Sequence, residues 1–311
     1  MLPDSHAAKQ VRVYIVRDPT HRESIPQLSP ILLVSILSAI SLAVWWGPLT
    51  SSFALALHDD QYTHILLILP ISAALIFLDW KPPEPAAGLG ASIGSVLLVL
   101  AVLATVMVRW RWVALPSDVQ LSANMLAFVV WWIAAFILCF GTRAFQRALF
   151  PLCFLLWVVP FPDFLLNAIV TLLQQSSAAA AHLLFLAAGI PVVQHDTLVH
   201  IPGLTVEVAP ECSSIRSSLI LLVTTMVLAQ LLLCSLWRKV LVVAVAIPLS
   251  VAKNGLRIFT LAVLATRVDP SYLTGRLHRQ GGIIFFLIAL AAIFSLLWIV
   301  RRGEQEKPGI R

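Results

Sequence analysis

Long apolar runs separated by short polar breaks dominate the chain. The runs fall at residues 30–46, 62–79, 91–108, 122–140, 148–160, 214–236, 240–266 and 283–300. Several reach the roughly 17–25 residues that cross a bilayer. Backbone polar groups in lipid must be satisfied within their own segment, so the runs are expected to be helices. The pattern predicts an all-α polytopic membrane protein of about eight transmembrane helices. One transmembrane unit, residues 30–300, would lie between a polar N-terminal tail (1–29) and a short basic tail (301–311). The first run follows a polar stretch and has no small-residue cleavage site after it, so it is read as a retained span. Pro82, Pro83 and Pro85 mark one short loop, and no repeat of fixed period is visible.

Composition sharpens this picture. Hydrophobic residues make up 59% of the chain and charged residues 12%, about half the roughly 25% usual in soluble domains. That excludes an ordinary soluble enzyme and a disordered chain. The net charge of +6 reads as a topology signal at span ends rather than a nucleic-acid footprint. No Walker loop or GxGxxG is present, and no cofactor is expected. Trp45, Trp46, Trp110, Trp112, Trp237 and Trp298 lie near span ends, as interfacial aromatics do. Of the four cysteines, Cys139, Cys153 and Cys234 sit in apolar runs as small hydrophobes. Cys212 alone sits in a polar stretch.

Residues 164–189 allow two readings. The run is long enough to cross, yet Gln174, Gln175, Ser176, Ser177 and His182 interrupt it. It either crosses or lies at the interface, as an amphipathic or re-entrant helix. If it does not cross, both termini are cytoplasmic. The cytoplasmic side then holds Lys9, Arg12, Arg17, Arg22, Lys81, Arg143, Arg147, Arg238, Lys239, Arg301, Arg302, Lys307 and Arg311. Those are 13 of the 21 basic residues. If it crosses, the last six move outside. The positive-inside rule prefers the first arrangement. Residues 190–211 then lie outside as a short hairpin-like segment with a Pro-Gly turn at 202–203.

Ionisable residues inside spans are costly and are functional candidates by default. Cys212 precedes the outer start of the span from 214, where the positive end of the helix dipole favours thiolate. Ser213 and Ser214 are good caps, and Arg216 adds positive charge. The alternative is a structural Cys at a helix start. Arg257 lies about 26 Å along the span from Val240, close to the same outer face. Lys253 shares its helix face, Asn254 lies beside it, and Pro248 is a candidate kink below. The alternative is two basic residues snorkelling to the interface. His278 lies in the outer loop before the last span. A Cys, an Arg and a His mapped to one interface are the kit for thiol acyl transfer. A further polar cluster, His58, Asp59, Asp60, Tyr62 and His64, starts the second span on the same side. It reads as a rim of the site rather than a metal centre, since its spacing matches no HExxH helix. His182, His195 and His200 read as loop or interface residues.

The stretches PECSSIRSS at 210–218, NGLRI at 254–258, HRQGG at 278–282 and QYTH at 61–64 resemble the cysteine, arginine, histidine and N-terminal motifs of the exosortase/archaeosortase family. PLCFLLWVVPFP and the GIPV…IPG stretch resemble the segment leading to the cysteine. The similarity covers most of residues 58–300. It implies an eight-span inner-membrane cysteine protease or transpeptidase with its site facing outward. Its partners would be exported, membrane-anchored proteins whose C-terminal tails carry a Pro-Glu-Pro-like motif, a transmembrane helix and a basic end. Such sorting is often linked to exopolysaccharide. Carried over, Cys212 is the nucleophile, His278 the general acid/base and Arg257 the transition-state stabiliser. Glu211, Arg216, Lys253, Asn254 and His64 are supporting or substrate-binding candidates. The cysteine motif departs from the family pattern at Ser214, where many members have Gly, and at Glu211, where many have Ala. These changes bear on the oxyanion pocket and on tail choice, as expected of a divergent subfamily. Two other classes remain: a transporter or channel with an intramembrane anion site, and a non-catalytic factor in polysaccharide assembly.

Overall fold

The structure, a computed structural model, describes residues 30–78, 89–110, 114–208, 215–273 and 282–305. Helix α1 (Pro30–His58) is followed by a 3-10 turn (Asp60–Tyr62), α2 (Ile65–Leu78), α3 (Leu89–Arg109), α4 (Ser117–Arg147) and α5 (Leu149–Phe154). A second 3-10 turn (Leu155–Val158) leads to α6 (Asp163–Ala187) and to strands β1 (Val193–His195), β2 (Leu198–Ile201) and β3 (Leu204–Glu207). Helices α7 (Ile215–Leu232), α8 (Leu236–Arg267) and α9 (Gly282–Gln305) complete the order, with a 3-10 turn (Pro270–Leu273) between the last two. Among the described residues, eight helical segments, one of them Asp60–Leu78 with the 3-10 turn included, are long and apolar enough to cross a membrane. The protein is an all-α polytopic membrane protein with a small surface sheet.

Contacts along the helices define two ends. The Asp60 end gathers the close of α1, the start of α4 and the start of α7. Its markers are the Arg216–Asp60 ion pair and the Tyr62 hydroxyl, which donates to the Phe161 carbonyl at 3.0 Å. The Glu304 end gathers the start of α8 and the end of α9. Helices α3 and α4 run antiparallel in close contact. A Cβ added at Gly94 would lie 2.9 Å from the Leu138 backbone nitrogen, and one at Gly90 would lie 3.3 Å from Gly141. Small residues four apart thus let two backbones approach, the usual device for association in lipid. Gly141 itself has φ +81°, a left-handed conformation that glycine adopts without steric cost. It kinks α4 there.

Three expectations change. The first helix does not stop at 46 but runs to His58 through Pro48. The proline bends it, with Trp45 at non-helical angles, rather than ending it. Trp45 is therefore no interfacial aromatic. It is 1% exposed and packs against Phe128 and Trp131. Trp46, Trp110, Trp237 and Trp298 are exposed on the bundle surface. Cys153 and Cys234 are also exposed, so among these thiols Cys139 alone acts as a buried hydrophobe. The third change concerns the run 148–160, which is not one long helix. It holds only ten residues of α5 and 3-10 turn, and α6 replaces it among the helices of spanning length.

The contacts show how these two segments lie. The stretch from α5 to Phe161 passes along α2, bringing Trp157 against His64 at 6.3 Å and Phe161 to Tyr62. It thus returns the chain from the Gly141 kink to the Asp60 end. Both ends of α6 stay at that end. The Asp163 amide donates to the Asp118 carboxylate at 2.9 Å, and Ala181 and Phe185 pack with Ile258 and Ala262 of α8. Helix α6 therefore lies across the Asp60 end, the interfacial path that its polar interruptions allow.

The segment after α6 is an antiparallel meander in the order β1–β2–β3, one strand more than the expected hairpin. Pro202 and Gly203 (φ +83°) make the second turn, the pairing that a type II turn requires. Val199, Ile201, Leu204 and Val206 turn one sheet face onto α6 and α8.

Candidate active site

Helix α7 enters at the Asp60 end with Ile215 buried. Arg216 in its first turn opposes the helix dipole, and the paired Asp60 carboxylate offsets that charge. Both side chains are about half exposed or more, at 49% and 78%, so the pair contributes little to stability. The Asp59 carboxylate accepts from the Gln61 amide at 2.9 Å and caps the 3-10 turn that presents Asp60.

Helices α7 and α8 meet along a seam of hydroxyls. Ser250 and Ser218 share a hydrogen bond, and the Lys253 ammonium donates to the Ser217 hydroxyl. Lys253 is 6% exposed and Asn254 is 1% exposed. Burial at this level excludes snorkelling for Lys253. An ammonium held away from water costs several kcal/mol unless it is compensated (roughly, by continuum estimates). Arg257 lies one turn further along the same face of α8. Its Nη1 is 4.0 Å from the Cβ position of Gly282, the first residue of α9. Two cations thus stand on adjacent turns at this seam, residue types able to stabilise negative charge that develops on a bound group.

Gly255 sits between them for a steric reason. A Cβ there would lie 2.6 Å from the Ala180 side chain and 3.0 Å from its backbone carbon. Helix α6 therefore crosses α8 at backbone contact, beside Arg257. That crossing carries the sheet with it, since Phe185, Val199 and Ile258 share one apolar cluster.

His64 is 2% exposed, and neither ring nitrogen has a hydrogen-bond partner among the described residues. It lies inside the bundle against Trp157, not on the surface with Asp60. His195 and His200 stand 6.1 Å apart on the sheet, and the His200 Nδ1 pairs with the Thr205 hydroxyl. Among the described residues, no three His, Cys, Asp or Glu side chains gather as a metal site.

Glu211, Cys212, the caps Ser213 and Ser214, and His278 lie outside the described residues. The residues flanking them are at the Asp60 end. Val208 is buried, its amide donating to the Thr197 carbonyl at 2.9 Å and its carbonyl accepting from Gln174 at 2.7 Å. Ile215 opens α7, and Gly282 opens α9 beside Arg257. Beyond α8, Asp269 accepts from the Ser271 amide at 2.7 Å, which holds its carboxyl below the usual carboxylate range.

Sequence reasoning missed Ser217, Ser218 and Ser250. Their signal was available: Ser250 precedes Lys253 by three residues and Asn254 by four, one turn of a shared helix face. It also missed Asp60 as the partner of Arg216, which are 156 residues apart.

No match to the chain is found among curated proteins or among solved structures. Residues 45–295, spanning every element from the kink in α1 to the middle of α9, match the family model described as transmembrane exosortase, and the chain belongs to that family.

Proposed function

We propose that the protein is a membrane-embedded cysteine protease or transpeptidase that cleaves C-terminal sorting tails of exported proteins. One observation carries the reading. Arg257 lies beside Gly282, four residues after His278, while its neighbour Lys253 is bonded to Ser217, five residues after Cys212. The described parts of the three motifs thus meet at one seam that carries two cations, which supports the reading.

The Cys212 thiolate attacks the scissile carbonyl carbon and forms the C–S bond, with the thiol proton passing to His278. Arg257 stabilises the oxyanion. Collapse breaks the C–N bond, His278 returns the proton to the leaving amine, and the tail departs. Water or an acceptor amine then resolves the thioester. Glu211, Arg216, Lys253, Asn254 and His64 support the site or contact the tail.

The protein resides in the cytoplasmic membrane with both termini inside and the Asp60 end outside. Basic residues support this orientation. The Glu304 end carries Arg143, Arg147, Arg238, Lys239, Arg301 and Arg302, while the other end has Arg109, Arg216, Lys253, Arg257 and Arg267.

The test is co-expression with a tagged reporter bearing a C-terminal sorting tail from the same genome. Wild type is expected to shorten the reporter and Cys212→Ala to leave it intact, a loss of at least about a thousandfold. The new C-terminal mass separates hydrolysis from transfer. Processing by Cys212→Ala equal to wild type sinks the proposal.

A further inference from the structure

The small sheet has one apolar face, and α6 and α8 consume it. Among the described residues, what it leaves open is backbone. The β2–β3 register pairs Ile201 with Leu204, His200 with Thr205, Val199 with Val206 and Leu198 with Glu207. The two-residue turn at Pro202–Gly203 makes Ile201–Leu204 a hydrogen-bonded pair, and such pairs alternate along an antiparallel ladder. Val199–Val206 is therefore bonded too, and the Val208 amide bond to Thr197 continues the alternation. Thr205 and Glu207 fall on the other positions, with their amide and carbonyl groups directed away from β2. Both residues are exposed. An edge of this kind is a ready template for another strand.

The sheet has two edges, and they differ in what lies beside them. Strand β3 contacts α8, and the Leu204 and Val206 side chains pack with Ile258, one residue past Arg257. It ends at the pinned Val208. Strand β1 contacts α6 instead.

From this placement we infer that the β3 edge is a docking strand: an extended segment of the substrate, next to its membrane anchor, adds to the sheet by backbone pairing with Thr205 and Glu207. The inference rests on the sorting-protease reading for its occupant. Main-chain hydrogen bonds supply the binding and hold the segment extended, a conformation that exposes its peptide bonds to attack. Pairing along β3 carries the segment past Ile258 toward the turn that holds Arg257. Because the bonds are to backbone, recognition tolerates varied side chains in the docked segment.

The experiment is disulfide cross-linking in the full-length protein in membranes. Cys212→Ala traps the substrate, and Cys139, Cys153 and Cys234 are replaced by serine. A single cysteine is then placed at Thr205, Glu207 or Gln194, the last on the β1 edge. The probe is the tagged reporter, carrying one cysteine at successive residues before its apolar helix. Cross-links are expected from Thr205→Cys and Glu207→Cys to alternate reporter positions, and none from Gln194→Cys. In parallel, Thr205→Pro and Glu207→Pro in the otherwise unaltered protein delete an outward amide without touching the ladder. Each is expected to lower processing about tenfold, while Gln194→Pro retains the wild-type rate.

Cross-links from Gln194→Cys, cross-links only between two copies of the chain, or none at all with a reporter that wild type processes would overturn the docking strand. A cross-linked reporter that wild type leaves unprocessed sustains the docking and removes the sorting chemistry. A reporter neither processed nor cross-linked removes both.

Discussion

The two ends of α8 carry polar clusters of opposite character. At the Glu304 end the exchange is closed. The Glu304 carboxylate accepts from the amides of Cys234 and Ser235 at 3.0 and 2.9 Å, capping the start of α8. Arg238 of α8 returns the favour by donating to the carbonyls of Val300 and Gly303 near the end of α9, at 3.1 and 3.0 Å. Each helix thus satisfies orphan groups of the other, and each charge faces the end of the partner helix whose dipole suits it. The Arg302 guanidinium lies 3.5 Å over the Trp298 ring and finishes the surface. At the other end of the same helix, Lys253 is buried with a serine hydroxyl as its partner, and Arg257 follows it by one turn. The first cluster serves stability. The second sets two cations one turn apart and buries Lys253, and burying a charge costs stability. The same residue types thus sit in different settings on one helix, in a cap exchange at one end and beside a seam of serine hydroxyls at the other.

The comparison makes sharp demands. The largest effect is expected from Arg257→Ala. Reporter processing should fall about 10²–10³-fold, the usual loss for an oxyanion stabiliser. The thermal midpoint of the detergent-solubilised protein should change little. A midpoint that falls with processing would make Arg257 structural and erase the contrast. Glu304→Ala should do the reverse. Losing the cap on α8 should cost about 1–2 kcal/mol, seen as a lower unfolding midpoint, with processing per folded molecule unchanged. The smallest effect belongs to Asp60→Asn. Its ion pair with Arg216 is exposed, so the stability change should stay within about 0.2–1 kcal/mol and shrink as salt rises. A loss well beyond that would show the pair to be a structural clamp like the Glu304 exchange.

Much of the fold was legible in advance because lipid reads composition. The runs at 62–79, 91–108, 214–236, 240–266 and 283–300 overlap α2, α3, α7, α8 and α9. The Pro-Gly turn at 202–203 is where the sheet turns. The candidate site was legible in part, through Arg216, Lys253 and Arg257, since charge in an apolar run stands out without any contact information, and through Asn254 beside them. Its partners did not stand out. Ser217, Ser250 and Asp60 are ordinary polar residues until α7, α8 and the Asp60 turn are brought together. Trp45 looked interfacial because a local pattern cannot show that a proline kink lets the helix continue.

The sequence alone determined that the whole is a membrane bundle, where most of its long helices lie, and which charges fall in apolar runs. These depend on hydrophobicity summed over a segment, and neighbours in space cannot reverse such a sum. Only the tertiary structure decided that α6 lies across the Asp60 end, that Gly255 admits Ala180 at backbone contact, and that Glu304 and Arg238 exchange caps across about 65 residues. Those outcomes rest on the fit between particular side chains brought together by folding, for which distance along the chain is no guide.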